Sequence, residues 1–134
     1  MFARIIAIEK ELTVSLLGNL LWLILGGLIV GLLYIIGGAL MCLTVVGIPF
    51  GLQSIKLGVA TMTPFGKEVV VDPRAGAFKV LFDIIWLLLC GWEIAMTHLT
   101  LGIILAITIV GLPFAKQHFK LVPVALMPFN HDLR

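Results

Sequence analysis

Thr44-Val45-Val46-Gly47-Ile48-Pro49-Phe50 returns 64 residues later as Thr108-Ile109-Val110-Gly111-Leu112-Pro113-Phe114. The offset holds without a gap on either side: Trp22 matches Trp86, Gln53 matches Gln117, Lys56 matches Lys120, and Pro64-Phe65 matches Pro128-Phe129. Across 17–66 against 81–130, 16 of the 50 aligned pairs are identical, and they include Trp, Pro and Lys, which apolar bias alone does not match. The chain is a tandem duplication of one hydrophobic unit.

What surrounds the repeat is a membrane composition. Of 134 residues 61% are hydrophobic and 12% charged, with a mean hydropathy of +1.21, against roughly 25% charged in soluble domains. Leu12–Ile55 holds no Asp, Glu, Lys or Arg, and neither does Ile94–Ala115. As one helix the first tract would be a rod of about 66 Å, about double a hydrocarbon core of roughly 30 Å, so it must fold back. The expected fold is therefore an all-α integral membrane protein with four short transmembrane helices near Val14–Leu33, Ile36–Phe50, Val80–Leu99 and Leu101–Phe114. These form two tandem helical hairpins of parallel orientation, each followed by a Pro-kinked amphipathic helix. Turns are expected near Tyr34–Gly38 and His98–Gly102, where Tyr34 and His98 would set a polar tip at the wet end of a span.

The organisation reads as an N-terminal segment 1–13, a first unit 14–66, a linker 67–79, a second unit 80–130 and a tail 131–134. Arg4 and Lys10 precede a tract too long for a signal peptide, so the N-terminus is expected to be retained. The Val run and Asp72-Pro73 of the linker suit a short extended piece and a turn. If each unit crosses twice, the Lys and Arg residues return to one side and the opposite turns carry none. The positive-inside rule then places both termini and the linker in the cytoplasm. A rival, with a re-entrant second segment, would export the basic linker.

The doubled Val-Val-Gly-Ile-Pro-Phe-Gly at 45–51 and Ile-Val-Gly-Leu-Pro-Phe-Ala at 109–115 is joined by a Trp in each first span, a Gln and a Lys after each proline, and a closing Pro-Phe. In this the chain resembles the YccF domain family of small bacterial inner-membrane proteins, over about Leu17 to Asn130. The resemblance implies a duplicated domain in the inner membrane and implies no reaction.

Glu93 is the foremost candidate for function, because an ionisable group inside a span is costly unless paired, wetted or neutralised. Steps of three and four residues align Asp83, Trp86, Cys90, Glu93, Thr97 and Thr100 along one helical face, expected to point into a bundle, a pore or a subunit interface. Such a stripe either lines a wetted path or cements helices through hydrogen bonds. Gln53, Lys56, Gln117 and Lys120 form polar edges that suit either headgroup contact or a cytoplasmic pore mouth. Gly47, Pro49, Gly111 and Pro113 read as structural kinks. Gly27 and Gly31 announce close helix packing.

Cys42 and Cys90 lie in apolar tracts without CxxC or Cys/His spacing and read as structural thiols. No metal or cofactor is expected, and no catalytic constellation points to an enzyme. Nine basic residues spread along the chain lack the density that nucleic acid requires. The expected partners are the lipid bilayer and further copies of the chain, since four short spans can hardly enclose an aqueous path alone. The functional expectation is a homo-oligomeric channel or small permease; the alternative is a non-transporting scaffold or regulatory protein.

Overall fold

The computed structural model describes residues 1–72 and 76–134. Aliphatic sequence without proline forms a first long helix in two parts, α1 (Phe2–Trp22) and α2 (Leu28–Met41), and the second unit repeats it as α4 (Ala77–Trp86) and α5 (Trp92–Ile107). Phe2–Met41 and Ala77–Ile107 are both long and apolar enough to cross a bilayer. Between the parts, Leu23–Gly27 and Leu87–Gly91 wind wide, as π-turns. In the first unit the chain also breaks, with Leu25 at φ −85°, ψ 15° and Gly26 at φ 124°, a conformation that glycine reaches without steric cost.

Each long helix turns back through an apolar loop into a shorter return helix, α3 (Ile48–Thr61) or α6 (Leu112–Leu126). The turns therefore fall after Met41 and after Ile107, which corrects the expected positions at Tyr34–Gly38 and His98–Gly102. Tyr34 and His98 are wholly buried within α2 and α5. The reason is that Gly37-Gly38 serves helix contact: a Cβ on Gly38 would lie 2.6 Å from the Gly51 carbonyl oxygen. The true turns are closed by threonine. Thr44 Oγ1 donates to the Met41 carbonyl at 3.1 Å and accepts the Gly47 N–H at 3.1 Å, and Thr108 does the same with Leu105 (2.8 Å) and Gly111 (3.1 Å).

Pro49 and Pro113 accordingly sit in the first turn of α3 and α6. There a missing N–H has no helical partner to lose. They start helices, and the kink expected at Gly47-Pro49 and Gly111-Pro113 is corrected to a turn followed by a fresh helix. The segments expected as amphipathic continuations are the return arms themselves. Gly31 packs under the Gly58 carbonyl within the same hairpin, a Cβ there falling 2.9 Å from it.

Two short strands complete the fold, so it is not purely helical: β1 (Val69–Val71) pairs antiparallel with β2 (His131–Leu133). β1 is the extended piece expected of the linker; its turn at Asp72-Pro73 runs into residues outside those described. Val69 stands opposite Leu133, its own counterpart at the offset of 64. The pseudo-twofold axis relating the units thus passes through that pair. Across this axis α2 and α5 run antiparallel, since Gly37 packs against Trp86 and Cys90 while Gly26 packs against Leu101.

The core lies between the units and is aromatic. Phe50 stacks on Phe82 at 3.9 Å and meets Phe129 edge-on at 5.1 Å, Phe65 meets Phe114 at 5.4 Å, and Tyr34 stacks on Trp86 at 5.8 Å. The turn of each hairpin is thereby packed near the end of the other unit.

Candidate functional site

Each long helix is tied to the end of its return arm by one indole and one carboxyl or amide. Trp22 Nε1 donates to the Thr61 carbonyl at 2.7 Å, and Trp86 Nε1 to that of Ala125 at 3.0 Å. Asn19 Oδ1 accepts the Phe65 N–H and Asp83 Oδ1 the Phe129 N–H, both at 2.9 Å. These are the same four pairs at the repeat offset, and they explain why Trp and Pro-Phe recur. Asp83 also accepts from Asn130 Nδ2 and is buried. It is a fastening, and the polar stripe loses its first member.

The rest of the stripe turns outward. Glu93 and Thr100 are exposed and Thr97 is half-buried, its hydroxyl donating to the Glu93 carbonyl at 2.8 Å. The π-turn Leu87–Gly91 separates the two halves: a wide turn accommodates one extra residue, so everything after it rotates by about 100°. Spacing by threes and fours is broken there, and Glu93 does not share the buried face of Asp83 and Trp86.

Gln53 and Lys56 reach across to the second unit, Gln53 Nε2 donating to the His131 carbonyl at 3.3 Å and Lys56 Nζ lying 3.3 Å from Asp132 Oδ2. Lys120 reaches the other way, donating to the carbonyls of Pro64 (3.1 Å) and Lys67 (2.9 Å). The Gln117 side-chain oxygen is buried and has no partner among the described residues. Both lysines brace one repeat against the other. Asp132 gathers the first brace, its Oδ2 also 3.0 Å from Arg134 Nε and its Oδ1 accepting the Leu133 N–H. Burial pushes its carboxyl up, but these donors and Lys56 hold it below the ordinary value of 3.8.

His118 escaped the sequence reading, and His98, expected at the wet end of a span, lies in the interior. His98 and His118 are wholly buried, with their Nδ1 atoms 3.0 Å apart, and the His118 ring lies against Trp22 at 4.2 Å. In the first unit the same place holds Tyr34 and Ser54, where Ser54 Oγ donates to the Tyr34 carbonyl at 2.8 Å. The common separation of 20 residues between members of each pair was the available signal. Cys42 and Cys90 are free and half-buried, and no group of three or more metal-ligating side chains occurs among the described residues.

A cavity of about 580 Å³ opens beside the sheet, its lining including Pro49, Phe50, Phe78 and Phe129 together with Lys56, Lys79, Asp132 and Arg134.

A fold of two long apolar helices and their return arms, with charges gathered at a small sheet, defines an integral membrane protein. The sequence profile of the YccF family, described as an inner membrane component domain, matches residues 17–67 and 81–131, and the chain belongs to that family. It is similar to the inner membrane protein YccF of Escherichia coli (strain K12) and to that of Shigella flexneri, at 31% identity over 81 residues in each case. The match covers 60% of this chain, which spans about half (51%) of the length of those relatives. No solved structure matches.

Proposed function

We propose that this inner-membrane protein works as a non-enzymatic homo-oligomer, a channel or small permease, in which Glu93, Thr97 and Thr100 of several copies meet around a shared polar path. Exposure of Glu93 carries the reading. Its carboxyl is the sole charged group between Asp83 and Lys116, and it stands on the outer face of the single chain. Against lipid it would cost several kcal/mol, roughly 2.5–3.5 on insertion scales; water or a second copy must cover it. A monomer leaves that cost unmet.

The orientation that fits places the charged sheet and both termini in the cytoplasm. The loops around Val45 and Ile109 carry no charge and expose Leu43, Val45, Val46, Ile109 and Val110, so they suit the bilayer. Val45→Cys and Val70→Cys, each in a background lacking Cys42 and Cys90, test this with an impermeant thiol reagent applied from the periplasmic side. Labelling at position 70 overturns the orientation.

Flux through purified protein in liposomes tests the path itself. Wild-type flux of a small ion, reduced at least tenfold in Glu93→Gln, supports it, and absence of flux across a panel of small ions sinks it. A second reading, a non-transporting scaffold, is favoured by the sheet and its ion pairs, which give the charged side a defined surface. That reading requires a stoichiometric partner on copurification in mild detergent.

A further inference from the structure

We infer that the cavity beside β2 is a binding site for an anionic phospholipid, its phosphate held by Lys56 and Arg134 and the start of its acyl chains laid on Phe50 and Phe78. Charge is the first argument. Lys56 and Arg134 share a single oxygen of Asp132, at 3.3 and 3.0 Å, so one side-chain carboxylate answers two side-chain cations. Lys79 is paired with Asp72. Both cations remain accessible, with side-chain exposures of 62% for Lys56 and 71% for Arg134.

Shape and apolarity are the second. The same lining holds aromatic rings, with Phe50 and Phe129 packed edge-on at 5.1 Å, and Phe78 is largely exposed at its rim. That rim continues into exposed Leu81, Ile84 and Ile85 on α4, the apolar surface of a span. A cavity cationic toward the sheet and aromatic toward the span matches an amphiphile. A free anion would leave the aromatic wall unused.

The repeat supplies the third. Lys120, the counterpart of Lys56, spends its ammonium on the carbonyls of Pro64 and Lys67, and no basic side chain in the first unit corresponds to Arg134, whose counterpart is Val70. Only one of the two pseudo-equivalent positions is equipped, so one such lipid per chain is expected. The site stands whether or not the protein conducts.

The test uses the full chain in phosphatidylcholine bilayers containing a trace of spin-labelled phosphatidylglycerol or spin-labelled phosphatidylcholine, reading the motionally restricted fraction of each. Wild type should retain phosphatidylglycerol preferentially. Arg134→Gln, and more fully Lys56→Gln with Arg134→Gln, should reduce that preference by about fivefold per cation removed, and high salt should weaken it. Lys56→Arg and Lys116→Gln, the latter at an exposed lysine outside the cavity, should both retain it, which separates loss of the site from loss of fold. Equal retention of the two lipids by wild type overturns the assignment, as does an unchanged preference in the double variant or an equal loss in Lys116→Gln. Displacement of the label by excess inorganic phosphate also overturns it, by making the occupant a free anion.

Discussion

His118 Nδ1 lies 3.0 Å from His98 Nδ1, in the position where the first unit sets Ser54 Oγ against the Tyr34 carbonyl. One imidazole must donate and the other accept, so each satisfies the Nδ1 of its neighbour, while both Nε2 atoms are buried without a partner among the described residues. Replacing one alone strands a buried nitrogen, at a cost of roughly 1–3 kcal/mol. We expect His98→Tyr and His118→Ser each to lower the unfolding midpoint in detergent. The double variant, which copies the first unit, should recover much of the loss. Simple additivity of the two losses would show that the sites are uncoupled.

Trp22→Phe and Trp86→Phe keep an aromatic ring and delete the indole N–H that reaches the Thr61 or Ala125 carbonyl. Each should destabilise by roughly 1–3 kcal/mol, because a buried carbonyl loses its donor. Thermal unfolding of both variants side by side checks it, and a loss well under 0.5 kcal/mol at either site would refute the equivalence of the two ties.

Gly38→Ala places a methyl 2.6 Å from the Gly51 oxygen, backbone that cannot swing aside, whereas a Cβ on Gly76 meets nothing within 4 Å. Prising α2 from α3 should cost about 1–3 kcal/mol. Gly76→Ala should leave stability unchanged. The comparison needs only two melting curves.

For Asp132 the folded pKa is depressed below the ordinary 3.8. Its stabilisation is therefore fully present above 3.8 and is lost as pH falls through the lower folded value. Hydrogen exchange at Val69–Val71 should stay slow at pH 5 and accelerate in acid below that window, and Asp132→Asn should abolish the acid dependence while raising exchange at neutral pH.

Much of the architecture was legible in sequence. Duplication and the fold-back of an over-long tract follow from an offset of 64 and from helix length against bilayer thickness. The turns were misread because Gly37-Gly38 and Tyr34 carry turn and interface signals that α2 and α3 use for close contact. Pro49 and Pro113 were misread for a related reason: a proline that interrupts a helix and one that begins a helix look alike until the turn before it is located. The face of Glu93 was misread, since a π-turn shifts the register without changing a residue. The pairing of Lys56 with Asp132, 76 positions away, has no local signature.

Because Val69 faces its own counterpart Leu133, the strand pair that joins the halves is self-complementary. Such a surface is what an isologous dimer of a single unit would present. A half-length chain carrying one repeat and its strand thus already contains both sides of the join, and two copies expressed apart should find one another in the membrane. The linker then does kinetic work: it raises the effective concentration of the second half against the first, so that assembly no longer depends on how much protein the cell makes.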